Sequence, residues 1–311
     1  MATRYPILYR SIQLIALLFV IVGYFFPAVL NRWEMIVAVA LIVLIGIPHG
    51  ATDHLIFRYS TRPFLGTRRM KRFYGSYLLL IGLYALLWWL SPAMSFVLFL
   101  VMSAYHFGQS NWNYASFPYR LQAGIYFMSW GAYVIVAPVL LHYSSVMSIL
   151  ENILRREVPY LNPGLCWWIV GGLLAWNLLL IIALKSKNTL SLRQKLEEIL
   201  SLLVLSLVFL FTPVLLGFAV YFVFWHSMSS VMDQVRFFQN HKNQYSLRRY
   251  VKDTAPFTIL AVAGLAGMFW VQFTLTDGIR VGWLFIFISI ITLPHMLLID
   301  QLYREAGENS K

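Results

Sequence analysis

The sequence predicts an all-α protein: a polytopic transmembrane helix bundle of about ten spans, both termini cytoplasmic, with residues 1–311 forming a single integral membrane domain. Three observations carry that expectation. Of 311 residues, 60% are hydrophobic and only 12% charged, whereas soluble domains run near 45–50% and about 25%. The apolar residues gather into runs of roughly 20, the length a helix needs to cross a hydrocarbon layer. The 24 Lys and Arg residues also sort by loop, twenty on the side of the termini and four on the other, which is the bias that keeps basic loops cytoplasmic. The net charge of +12 thus belongs to cytoplasmic loops, and no nucleic-acid partner is expected. The one cysteine, Cys166, excludes an internal disulfide and a thiolate metal framework.

The spans follow in order. Residues 11–30 come after a basic start with Arg4 and Arg10, but the run is long and lacks a small-residue cleavage site, so it reads as a retained helix rather than a signal peptide. Span 34–57 closes on "GIPHGATDHLIF", with Arg58 and Arg62 beyond it. Spans 74–90 and 93–110 follow the basic cluster Arg68, Arg69, Lys71 and Arg72, and span 121–142 follows Arg120. In "SSVMSILENILRREV", Val146, Ile149, Leu150, Ile153 and Leu154 recur at helical spacing, which predicts a helix lying at the outer interface. Span 165–184 leads into Lys185, Lys187, Arg193 and Lys195 before span 196–211. Thr212-Pro213 separates that span from 214–231, and the two also read as one broken helix. A basic loop with Arg236, Lys242, Arg248, Arg249 and Lys252 leads to spans 256–275 and 281–300.

Histidine is the residue that departs from this apolar pattern. His142 falls at an outer helix end and His241 in a basic loop, where a solvated imidazole is ordinary. His49, His106, His226 and His295 instead fall in four of the five spans that run outside to inside, each within about two turns of the cytoplasmic end. Intramembrane polar side chains are costly and face the bundle interior. Four imidazoles at one depth therefore point to a shared metal, although nitrogen donors alone do not choose among Fe, Zn, Cu and Ni. Asp53, four residues after His49, is placed to accept its second ring N–H, while His54 lies further around the helix and is the weaker candidate. Tyr105, Phe107, Phe224 and Trp225 flank these histidines; such rings suit an interfacial belt or a long apolar substrate.

The blocks "GIPHGATDH", "YHFG", "YFVFWHS" and "LPHM" resemble, in order, the signature blocks of the Brp/Blh family of membrane β-carotene 15,15′-dioxygenases. The resemblance runs over nearly the whole chain. It implies a multi-pass enzyme of the prokaryotic cytoplasmic membrane that cleaves the central double bond of β-carotene, or a related carotenoid, with O₂ and histidine-bound Fe(2+) to give retinal. It places His49, His106 and His226 at iron-ligand positions and matches His295 to the later Pro-His block. Two departures stand out: Ser230 occupies a position where the family commonly carries a further histidine, and Gln109, Ser110 and Asn111 follow the His-Phe-Gly block where an acidic residue is common.

Other classes compete with this reading. An opsin needs a span-interior lysine, and none is present. Two-iron desaturases need histidines in HxxxH or HxxHH boxes, which are absent. Another metal-dependent membrane lipid oxidoreductase, a histidine-containing transporter and a haem protein remain as alternatives.

Overall fold

A computed structural model describes residues 6–59, 67–184, 190–241, 244–276 and 281–308. Arg4, Arg62, Lys185, Lys187 and Lys242, assigned above to loops and termini, lie outside the described residues, as does the side chain of His241. Among the described residues there is no strand. The helices are α1 (Pro6–Phe25), α2 (Pro27–Leu41), α3 (Ile47–Gly50), α4 (Asp53–Tyr59), α5 (Thr67–Leu90), α6 (Pro92–Trp112), α7 (Arg120–Leu141), α8 (Tyr143–Leu154), α9 (Pro163–Ala183), α10 (Leu192–Phe211), α11 (Val214–Val220), α12 (Met228–His241), α13 (Leu247–Thr276) and α14 (Val281–Glu308). Wide π turns at Ile42–Gly46 and Tyr221–Ser227 join α2 to α3 and α11 to α12.

Among the described residues, eight helical stretches are long and apolar enough to cross a membrane. The expected spans 93–110 and 196–211 are helices too, α6 and α10, but do not reach that level of apolarity. The reason is local: α6 ends in His106, Gln109, Ser110 and Asn111, and α10 begins with Arg193, Lys195, Glu197 and Glu198. The first boundary also moves. The loop expected at 31–33 is helical, and the break comes at Phe26, before Pro27. Proline at the first helical position gives up no hydrogen bond, whereas Asn31 and Arg32 are exposed on the helix surface. At Thr212-Pro213 the two helices are distinct. Thr212 is extended, and Glu34 Oε1 accepts the Leu215 N–H at 2.8 Å, satisfying one donor at the start of α11. The outer helix expected at 144–158 is α8, closed by Arg155 in the left-handed region at φ 53°.

The described residues form two compact units. The first draws on Met1–Ile42, Ser103–Met147 and Pro159–Ser229. Within it α7 packs on α9, α1 on α10, and α11 on α2, around Trp130, Tyr133, Leu202, Leu205 and Phe209. The end of α6 meets α7 with nothing but glycine between the backbones. A Cβ on Gly108 would come 1.8 Å from the Phe127 carbonyl oxygen, and one on Gly131 would come 1.7 Å from that of Ala104. Small residues are what permit so close a crossing.

The second unit draws on Val43–Met102, Ser148–Val158 and Ser230–Lys311. One cluster joins α4, α12, α13 and α14 through Leu55, Ile56, Val235, Phe238, Tyr245, Tyr250 and Ile299. Another joins α5, α8 and α14 through Tyr84, Trp88, Ile153, Leu293 and Met296. Of the eleven tryptophans, Trp88, Trp112, Trp130 and Trp225 are buried, while Trp33, Trp89, Trp167, Trp168, Trp176, Trp270 and Trp283 are exposed.

Candidate functional site

In the second unit His49 and His295 meet edge to face, their ring centroids 5.1 Å apart, and both are buried. Each follows a proline, and the His49 turn sits directly after the first π turn. His49 Nδ1 is hydrogen-bonded to the Gly46 carbonyl. His295 Nδ1 lies 2.6 Å from Asp53 Oδ1, and the Tyr77 hydroxyl donates to Asp53 Oδ2 at 2.8 Å. Below the pair, Gln234 is a four-way junction. Its Oε1 accepts from Tyr250 at 2.7 Å and lies 2.9 Å from the Thr52 hydroxyl. Its Nε2 donates to the His49 carbonyl at 3.0 Å and to Ser230 Oγ at 3.2 Å. An amide with both oxygen lone pairs and both N–H groups engaged has one orientation only, so it fixes the turn that carries His49.

In the first unit His106, from the end of α6, faces His226, from the second π turn, at a centroid distance of 4.9 Å. Both rings are buried, and so are all four of their ring nitrogens. Phe107 stands edge-on to His226 at 4.9 Å and Phe222 stacks on it at 5.6 Å. Tyr221 meets Phe107 edge to face at 5.5 Å. The wide turn has its own hydrogen-bond signature, with Ser227 Oγ donating to the carbonyl of Phe222 five residues back. π turns of this kind insert one residue into a helix and occur often at functional sites. Nearby on α10, the fully buried Glu198 accepts from Asn111 at 3.3 Å and from Tyr114. An acid thus reaches the segment after the His-Phe-Gly block, supplied by another helix.

The structure corrects one expectation and locates the other singled-out residues. Asp53 does not serve His49; it serves His295. The expectation assumed one continuous helix from 49 to 53, but the chain turns at Ala51–Thr52 between α3 and α4, which removes the shared face. His54 packs on Phe257 at 4.3 Å. Ser230 Oγ accepts from Gln234 Nε2 at 3.2 Å. Of the flanking aromatics, Phe107 lies against the histidine pair, whereas Tyr105 packs on Phe127 and Phe224 on Phe19; Trp225 is buried. Tyr77, Gln234 and Tyr250 were not singled out, and no local spacing marks them. A cavity of about 280 Å³ in the second unit, lined by Trp88, Trp89, Asn152, Arg155, Gly282 and Trp283 among others, opens along Gly282, Ile286 and Ile290 of α14.

Among the described residues no three His, Cys, Asp or Glu side chains gather as a ligand group. Each unit instead offers two buried imidazoles. As donors they fit a borderline first-row ion such as Fe(2+), for which neutral imidazole is a standard ligand. The first unit sets its pair against aromatic rings; the second gives the Nδ1 of each ring an acceptor, the arrangement that metal-bound histidines use.

The chain is 29% identical over 290 residues to the β-carotene 15,15′-dioxygenase of uncultured marine bacterium 66A03, covering 88% of this chain and 96% of that one. No solved structure matches. The family model for β-carotene 15,15′-dioxygenase matches residues 40–303, a stretch that contains all four histidine blocks, and the chain therefore belongs to the β-carotene 15,15′-dioxygenase family.

Proposed function

We propose that the protein cleaves the central double bond of β-carotene, or of a closely related carotenoid, with O₂, one oxygen atom going to each of two retinal carbonyls. The single observation that carries this reading is the family match across residues 40–303. The paired imidazoles within each unit, His49 with His295 and His106 with His226, are the donors this chain would offer to Fe(2+), which when bound would supply the activation of O₂.

The chain's own residues account for the rest. Phe107 and Phe222 present π faces and edges beside His226, a surface on which a conjugated polyene packs and from which water is excluded. Gln234 and Asp53 hold the second unit's histidines in orientation through fully engaged hydrogen bonds. The substrate dissolves in lipid, so the reading places the enzyme in the prokaryotic cytoplasmic membrane, both termini inside, and lets the carotenoid enter from the bilayer. Expression in a β-carotene-producing bacterium tests it. Retinal should accumulate with the native chain and fall to background with His106→Ala or His226→Ala. A native chain that is folded and membrane-inserted yet yields no retinal would overturn the reading.

A further inference from the structure

Asp53 is buried in an apolar stretch, where a carboxylate persists only if its oxygens are hydrogen-bonded. Both are. Oδ1 faces His295 Nδ1 at 2.6 Å and Oδ2 accepts from the Tyr77 hydroxyl at 2.8 Å. The three residues come from α4, α5 and α14, so no local backbone geometry requires them to meet. A phenol donating to Oδ2 holds the carboxylate as an acceptor, and an acceptor at Oδ1 requires the proton of His295 to sit on Nδ1. His49 repeats the arrangement with the Gly46 carbonyl as its acceptor. Ser230 brings a hydroxyl, already bound to Gln234, and hydroxyls are poor ligands for ferrous iron.

We infer that Tyr77 and Asp53 are positioning residues that lock His295 in its Nδ1–H tautomer and so present its buried Nε2 as a metal donor. The inference rests on the iron-dioxygenase reading for the identity of the metal and deepens it by assigning the Tyr77–Asp53–His295 chain to one ligand. Partners of this kind fix ring orientation and raise donor basicity, and their loss typically costs about 10–100-fold in metal affinity.

The experiment compares the full-length native protein with Tyr77→Phe, Asp53→Asn, His295→Ala and Tyr77→Phe combined with His295→Ala. Fe(2+) affinity is measured against a competing chelator, and the ligand-field bands are read after Co(2+) substitution. Tyr77→Phe should weaken Fe(2+) about 10-fold or more and shift the cobalt bands. Asp53→Asn should do the same, because its amide can donate to Nδ1 and release the other tautomer; it also serves if Tyr77→Phe does not fold. In the His295→Ala background, Tyr77→Phe should change nothing further, a result that a merely structural phenol does not give. The inference is overturned if Tyr77→Phe weakens iron by the same factor with and without His295, or if His295→Ala leaves affinity and cobalt bands unchanged. Retinal yield separates the two failures. A native protein that makes retinal while His295→Ala keeps its metal sinks only the inference; one that binds no iron and makes no retinal sinks both.

Discussion

His142 and His226 are both histidines of the first unit, yet their surroundings assign them different work. His142 Nε2 donates to the Phe209 carbonyl at 2.9 Å, near the end of α10, where carbonyls lack helical partners. His142→Ala should lower stability by about 1 kcal/mol and leave bound iron and retinal yield intact. His49→Ala, His106→Ala and His226→Ala should each abolish both, as iron analysis on the purified variants would establish. For Ser230→His the expectation is no gain in iron and a lower Tm, because the larger ring must displace the bond to Gln234; a rise in iron content would show that this position is an open ligand site. The histidines were legible in the sequence because imidazole is conspicuous among leucines and valines. Their partners were not. Tyr77 and Gln234 are ordinary residues in composition, and they reach Asp53 and Thr52 across 24 and 182 residues of chain.

At the scale of elements, run length made the helices legible, and the break that falls at Phe26, before Pro27, was expected some five residues later. The two π turns left no such trace, since a helix widens by one residue without any change in residue type. They matter because α-helical spacing, used to put residues on one face, fails wherever a π turn or a helix junction intervenes, as it did between His49 and Asp53. Glycine is more telling in space than in sequence. Gly131→Val should destabilise by more than the roughly 1–3 kcal/mol of ordinary overpacking, because the Ala104 carbonyl stands 1.7 Å from any added Cβ and backbone cannot step aside. Gly124→Ala, on the same helix with no atom within 4 Å of its Cβ, should be neutral or stabilising by up to about 1 kcal/mol. Thermal melts of the two variants in one detergent decide the comparison.

For the whole molecule, the basic bias and the eight apolar stretches lead to a test of sidedness. In a Cys166→Ser background, Arg69→Cys should be shielded from an impermeant external thiol reagent in intact cells, and Arg156→Cys should react. Labelling of the first would reverse the proposed orientation. The division of the tryptophans has an optical consequence. Seven indoles lie on the surface and four lie inside, among them Trp225 beside His226. Brominated acyl chains extinguish indole emission on contact, so lipids carrying them should darken the outer seven and leave the inner four shining. The remaining light then comes from the interior alone. A polyene entering beside the histidines would register in that residual emission, and binding could be followed in a bilayer of those lipids without attaching any dye.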